Sequence, residues 1–164
     1  MDHQSTHAAH GAGETMGLAP YRSLALNLAV SLAIMYFVMF AMINSLGEFI
    51  QNINFFYMAL MMWAPMGSLM LLTMAGMYRN KRWNLLLHGF FLLVFILSFI
   101  GIRQQSLVGD RQFLRSMIPH HSGAILMCRE AKLSDPAIKE LCQSNIIPSQ
   151  EREVAEMKVL LARQ

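Results

Sequence analysis

Two adjacent histidines, His120 and His121, stand in the last third of a 164-residue chain, with Met117 and Met127 around them and Glu153 and Met157 further on. Imidazole nitrogen suits copper, zinc, iron and nickel, whereas thioether sulfur selects Cu(I) and is a poor zinc ligand. Copper, in the Cu(I) state, is the metal this mixture fits best. His120 and His121 are expected as primary ligands and Met117, Met127 and Met157 as thioether ligands. Glu153 is expected either to ligate or to fix an imidazole as its hydrogen-bond acceptor. The competing reading is a His/Glu pair hydrogen-bonded within an ordinary methionine-packed core. No nucleophile, base and orienter set, Cys-X-X-Cys pair or Gly-rich phosphate loop occurs, so no enzyme is expected.

The elements that must hold these groups are two helices. Asp110 is placed to cap a first helix running to about Lys132, and Ser134 or Asp135 to cap a second with Pro136 in its first turn. Helical spacing puts Phe113, Met117, His120, His121, Ala124, Met127, Cys128 and Ala131 on one side of the first helix, with Arg111, Arg115, Ser122 and Arg129 opposite. The core stripe of the second reads Ile138, Leu141, Cys142, Ile146, Gln150, Glu153, Met157, Leu160 and Leu161. A carboxylate in a core position needs a cation or a partner. If the helices fold back antiparallel, residues whose numbers total about 270 lie level: Cys128 with Cys142, His120 with Gln150, Met117 with Glu153, Phe113 with Met157. Pro119 and Pro148 interrupt the backbone ladder beside these layers. Cys128 and Cys142 are open to three fates: a disulfide, thiolate ligands, or buried inert thiols.

The rest of the chain is of another kind. Hydrophobic residues make up 55% and charged residues 14%, and 16 of the 23 charged side chains lie in residues 103–164. Between Ser23 and Tyr78 the single charge is Glu48. Disorder is excluded by this composition, and a net charge of +3 interspersed with acids excludes a nucleic-acid footprint. The predicted organisation is a histidine-containing tail (1–21), a membrane domain (22–102) with spans at 22–43, 54–78 and 83–102, a linker (103–109) and the helical hairpin (110–164). Arg22 before the first span and Arg79, Lys81 and Arg82 between the second and third place the N-terminus in the cytoplasm by the positive-inside rule. The hairpin is then outside, which in a bacterial inner membrane means the periplasm.

Within the spans, Met58, Met62, Met66, Met70 and Met74 recur at every fourth residue, and Met35, Met39 and Met42 form a shorter series. They read as flexible packing between helices or as a soft-metal track that would make the protein a Cu(I) transport component. His88 is the one ionisable group well inside a span, expected to be hydrogen-bonded to a neighbouring helix unless it is functional. His3, His7 and His10 belong to a tail that either catches metal weakly or is merely solvated.

A hairpin of this size buries little surface alone. The expected fold is therefore all-α: three transmembrane helices, then a two-helix hairpin that completes a four-helix bundle by homodimerisation or else docks on the membrane part. The stretch Phe113-Leu114-Arg115-Ser116-Met117-Ile118-Pro119-His120-His121-Ser122-Gly123-Ala124-Ile125-Leu126-Met127, followed by Ile146-Ile147-Pro148-Ser149-Gln150-Glu151-Arg152-Glu153-Val154-Ala155-Glu156-Met157, resembles domain-of-unknown-function family 305. The resemblance implies a ferritin-like helical bundle, typically exported, with some members binding copper through Met and His and supporting copper tolerance. Carried onto this chain it implies a site of Met117, His120, His121, Met127, Gln150, Glu153 and Met157. The chain departs from the family pattern at Cys128, Cys142 and Pro148. The expected function is a membrane-anchored copper-binding protein for capture, buffering or tolerance; the alternatives are the transport component and an oligomerisation module with a vestigial site.

Overall fold

The computed structural model describes residues 19–164, so His3, His7 and His10 lie outside the described residues. Three helices are long and apolar enough to cross a membrane: α1 (Ala19–Val38, prolonged by a 3-10 turn at Met39–Met42), α2 (Ile53–Thr73) and α3 (Lys81–Arg103). The hairpin follows as α4 (Asp110–Glu130), a short α5 (Pro136–Glu140), a π-helical segment (Leu141–Ile146) and α6 (Ile147–Leu161). There is no strand among the described residues. The all-α architecture of a membrane part followed by a helical hairpin is thus present.

The membrane helices pack by letting backbones approach. Trp63 on α2 donates its indole N–H to the Leu28 carbonyl of α1 at 2.7 Å, so the ring is buried without an unpaired polar atom. Gly67 lies under the ring of Phe91 on α3, where a Cβ would come 2.6 Å from Cζ. Small residues at such crossings are how helices associate where lipid removes the hydrophobic driving force. The apolar run predicted as 54–78 is longer than the helix: Asn52 caps α2 by accepting from Phe55 N–H, but the helix ends at Thr73. The chain then turns back to bury Tyr78 against Tyr21, ring centroids 5.3 Å apart.

His88 on α3 meets Ser68 on α2, Oγ to Nδ1 at 2.5 Å, the inter-helix bond expected of it. The methionine series splits instead of forming a lined path. Met66 and Met70 pack on the membrane core, while Met58, Met62 and Met74 are exposed on the helix surface. A spacing of four residues drifts about 40° per step on a 3.6-residue helix, so five methionines cannot share one face.

The hairpin sits at the end of the bundle where α1 turns into α2, opposite the basic α2–α3 turn. The linker is tethered: Tyr57 OH donates to the Ser106 carbonyl at 2.9 Å and Asn54 Nδ2 to Gln105 Oε1 at 3.0 Å. Gln105 and Leu107 hold φ of 50° and 62°, the left-handed region that turns the chain sharply out of α3. Beyond it α4 lies along the loop at residues 43–52. Gln112 Oε1 accepts from Ile53 N–H at 3.3 Å, Gly123 would carry its Cβ 3.4 Å from the Met42 carbonyl, and Arg129 donates to Asn44 Oδ1 at 3.0 Å.

The centre of this contact is Glu48. Its Oε2 accepts from Ser122 Oγ–H at 2.7 Å and from Ser45 N–H at 2.9 Å, and its Oε1 accepts from Lys158 Nζ at 3.1 Å. Burial alone would raise its pKa, but the bonds from Ser122, Lys158 and Ser45 outweigh burial and hold the carboxyl below the ordinary glutamate value.

Candidate metal centre

Helix α4 begins one residue earlier than expected. Gly109 is the capping residue and Asp110 lies inside the first turn, where its charge faces the positive end of the helix dipole. Asp135 caps α5 as expected, accepting from Ala137 N–H at 2.8 Å with Pro136 next to it. Cys128 and Cys142 are joined as a disulfide at the turn end of the hairpin, Cα atoms 5.4 Å apart, which removes the thiolate-ligand and inert-thiol readings.

The faces of α4 differ from the expected ones. Its buried residues are Leu114, Ser116, Ile118, Pro119, Ser122, Gly123 and Ile125; Ile118 and Ile125 pack with Val154 of α6, while Ser122 and Gly123 meet Glu48 and Met42. Ser122, expected among the solvated residues opposite the core, is fully buried against Glu48. Conversely Phe113 and Met127 are 50% and 54% exposed, and His120 is exposed. The reason is that α4 has two surfaces to cover, α6 and the membrane loop. Of the expected stripe, Phe113, His120 and Met127 fall on the side that neither reaches.

The π segment sets the phase of α6. Ile147 N–H donates to the Cys142 carbonyl five residues back instead of four, just ahead of Pro148, which has no N–H to give. The wide turn inserts a residue and rotates everything beyond it. Residues joined across the hairpin total 270 at the disulfide, 280 at the Arg129–Glu151 ion pair and 274 where His121 Nδ1 approaches Glu153 Oε2 to 2.8 Å. Glu153 thus meets His121 in place of the expected Met117. One helical turn from the His121–Glu153 contact, back along α4 and forward along α6, the same register puts Met117 level with Met157.

The residues expected at the site thus separate. His121 and Glu153 touch, with side chains 15% and 42% exposed. Met157 is half-buried against Ile118, Ile125 and Val154. Met117 is half-buried one turn before His121 on α4, and Gln150 is half-buried one turn before Val154 on α6. His120, its ring 5.9 Å from that of His121, points to the outer flank with Met127. The 2.8 Å approach of Glu153 is off the line of an N–H···O hydrogen bond, so His121 Nδ1 is a buried ring nitrogen without a bonded partner. No three His, Cys, Asp or Glu side chains gather as a metal-holding group among the described residues. A metal here would draw on thioethers as well.

Sequence reasoning missed the Glu48–Ser122–Lys158 cluster. The signal was present in Glu48, the lone acid of the oily half, but its partners lie 74 and 110 residues away.

The geometry can be set beside known proteins. The model of a family described as domain of unknown function (DUF305) matches residues 102–161. An uncharacterized protein, L153, of Acanthamoeba polyphaga mimivirus is 34% identical over 120 residues, covering 72% of this chain and 76% of the relative. The chain belongs to the DUF305 family. An alignment of 120 residues does not fit within residues 102–164, so the likeness of this DUF305 protein to the viral one extends into the membrane-length helices. No solved structure matches the chain.

Proposed function

We propose that this DUF305 protein is a membrane-anchored copper-binding module, a carrier and not a catalyst, that presents its hairpin on the outer side of a bacterial inner membrane to capture or buffer Cu(I). The observation that carries the reading is the buried Nδ1 of His121, which makes no hydrogen bond and lies 2.8 Å from Glu153 Oε2, with Met117 one turn away along α4 and Met157 one turn away along α6. One imidazole and two thioethers are a soft donor set that favours Cu(I) over zinc. Glu153, its carboxylate beside that nitrogen, supplies negative charge to balance the bound cation. His120 and Met127, on the open flank, are where a second copy of the hairpin would add donors. The disulfide supports export, because such bonds persist outside reducing compartments. Four basic residues at the opposite end of the bundle support the orientation.

The test is competition between the detergent-purified full chain and a chromogenic Cu(I) chelator, with Zn(II) as comparison. The expected result is Cu(I) withdrawn from the chelator by the native chain and at least tenfold weaker withdrawal by His121→Ala and by Met117→Leu with Met157→Leu. Cu(I) uptake equal in the native chain and the His120→Ala, His121→Ala double variant would overturn the reading. Copper transport is the second candidate and has less support, since Met58, Met62 and Met74 are exposed on the outer helix surface.

A further inference from the structure

Between α2 and α3 runs a groove of about 380 Å³ open to the surrounding bilayer, walled by Pro65, Leu69, Phe91 and Leu92 among other apolar groups, with Ser68 and His88 as its polar members. A volume of this order suits a small molecule. The groove owes nothing to the metal centre, which lies in the hairpin beyond the far end of these helices.

The hydrogen bond within the groove leaves one proton of the His88–Ser68 pair over. Two arrangements satisfy it: Nδ1–H donating to Ser68 Oγ, which leaves the hydroxyl proton over, or Ser68 O–H donating to His88 Nδ1, which places the remaining ring proton on Nε2. In the second, Nε2–H has no hydrogen-bond partner among the described residues. A donor left unpaired in hydrocarbon costs several kcal/mol, on the order of the transfer penalty for a bare amide or hydroxyl. An occupant of the groove that accepts this bond removes the penalty.

Depth selects the occupant. Lys81, Arg82 and Trp83 open α3 and mark the membrane–water interface. His88 is seven residues further in, about 10 Å along the helix. Lipid headgroups and their ester carbonyls lie nearer the interface. An acceptor at this depth belongs to a molecule dissolved in the hydrocarbon itself, with a carbonyl on an otherwise apolar body. Phe91 and Pro65 offer flat walls for a ring, and Leu69 and Leu92 line the way for a tail. We propose that the α2–α3 groove binds the head ring of a membrane quinone, one carbonyl oxygen accepting from His88 Nε2–H while the tail follows the groove into the bilayer.

The reporter is built in, because the indole of Trp63 stands edge-on to Phe91 with ring centroids 5.4 Å apart. The full chain carrying Trp83→Phe is placed in nanodiscs of synthetic phosphatidylcholine and titrated with a decyl-tailed benzoquinone while Trp63 fluorescence is read. Saturable quenching at one quinone per chain is expected, with His88→Phe raising the half-saturation point at least tenfold and His88→Gln, which keeps a donor, largely restoring it. Circular dichroism confirms that each variant is folded. Quenching that rises linearly with quinone, alike in the native chain and in His88→Phe, would mean simple partitioning and overturn the proposal. So would a phospholipid retained in the groove by native mass spectrometry, or disulfide cross-linking of Leu92→Cys between two copies in the presence of quinone.

Discussion

Glu48 occupies a position that no apolar residue could fill. Its carboxylate collects three donors from three parts of the chain, and the bond to Ser122 ties the α1–α2 loop to the middle of α4. Removing the charge leaves the Ser122 hydroxyl and the Ser45 N–H with a weaker acceptor, at about 1–3 kcal/mol for a buried, charge-assisted set. Glu48→Gln is therefore expected to loosen the docked hairpin, read as faster amide hydrogen exchange in α4 around Ser122 with the membrane helices unchanged. The pH dependence has a definite sign. The folded-state pKa lies below the unfolded one, so the stabilisation is complete above the ordinary glutamate range near ~4.3 and is lost as pH falls through the lower folded value. Exchange in α4 of the native chain should rise on acidification below about pH 4, and in Glu48→Gln this acid response should be absent. That Glu48 is unusual is legible in the sequence, since it stands alone between Ser23 and Tyr78. Its partners are not, because helical periodicity assigns faces and says nothing about which distant residue meets them.

At the scale of elements, the three spans follow directly from apolar length, and the hairpin from its caps and its motif. The register across the hairpin does not, because it depends on a wide turn at Leu141–Ile146 whose one visible trace is the missing donor of Pro148. Two elements give direct tests. The disulfide closes a separation of 14 residues, for which chain entropy allows about 3 kcal/mol. Cys128→Ser with Cys142→Ser should lower the unfolding free energy of the hairpin by about that amount in a denaturant titration. In the membrane part, Gly67→Val puts two methyl groups where Phe91 already stands, which predicts about 1–3 kcal/mol of overpacking strain between α2 and α3. It should appear as a lower melting temperature in detergent, largely recovered by Phe91→Ala in the same chain.

At the scale of the molecule, three helices that all cross a bilayer would put the two ends of the membrane part on opposite faces, and the contacts of the loop at residues 43–52 would commit the hairpin to one of them. The positive-inside rule predicts the outer one. A cysteine at Leu107, 80% exposed beside the hairpin, should react with a membrane-impermeant maleimide on intact cells. One at Met77, 52% exposed in the basic turn, should react only after permeabilisation. The reverse pattern would place the hairpin inside the cell.

The way α4 is held restricts what can assemble around it. Its contacts with the loop run from Gln112 to Arg129, about 26 Å of helix, so it lies over the loop along most of its length. Two chains anchored in one bilayer can be related only by a two-fold axis standing along the membrane normal. A face looking away from the bilayer can never meet its own copy across such an axis, whereas a side edge can. The edge of α4 that neither α6 nor the loop covers bears Phe113, His120 and Met127. Any symmetric pair within one membrane that joins at this edge brings the same three side chains of both copies to the axis, and leaves His121 and Glu153 of each copy on the side facing α6, away from it.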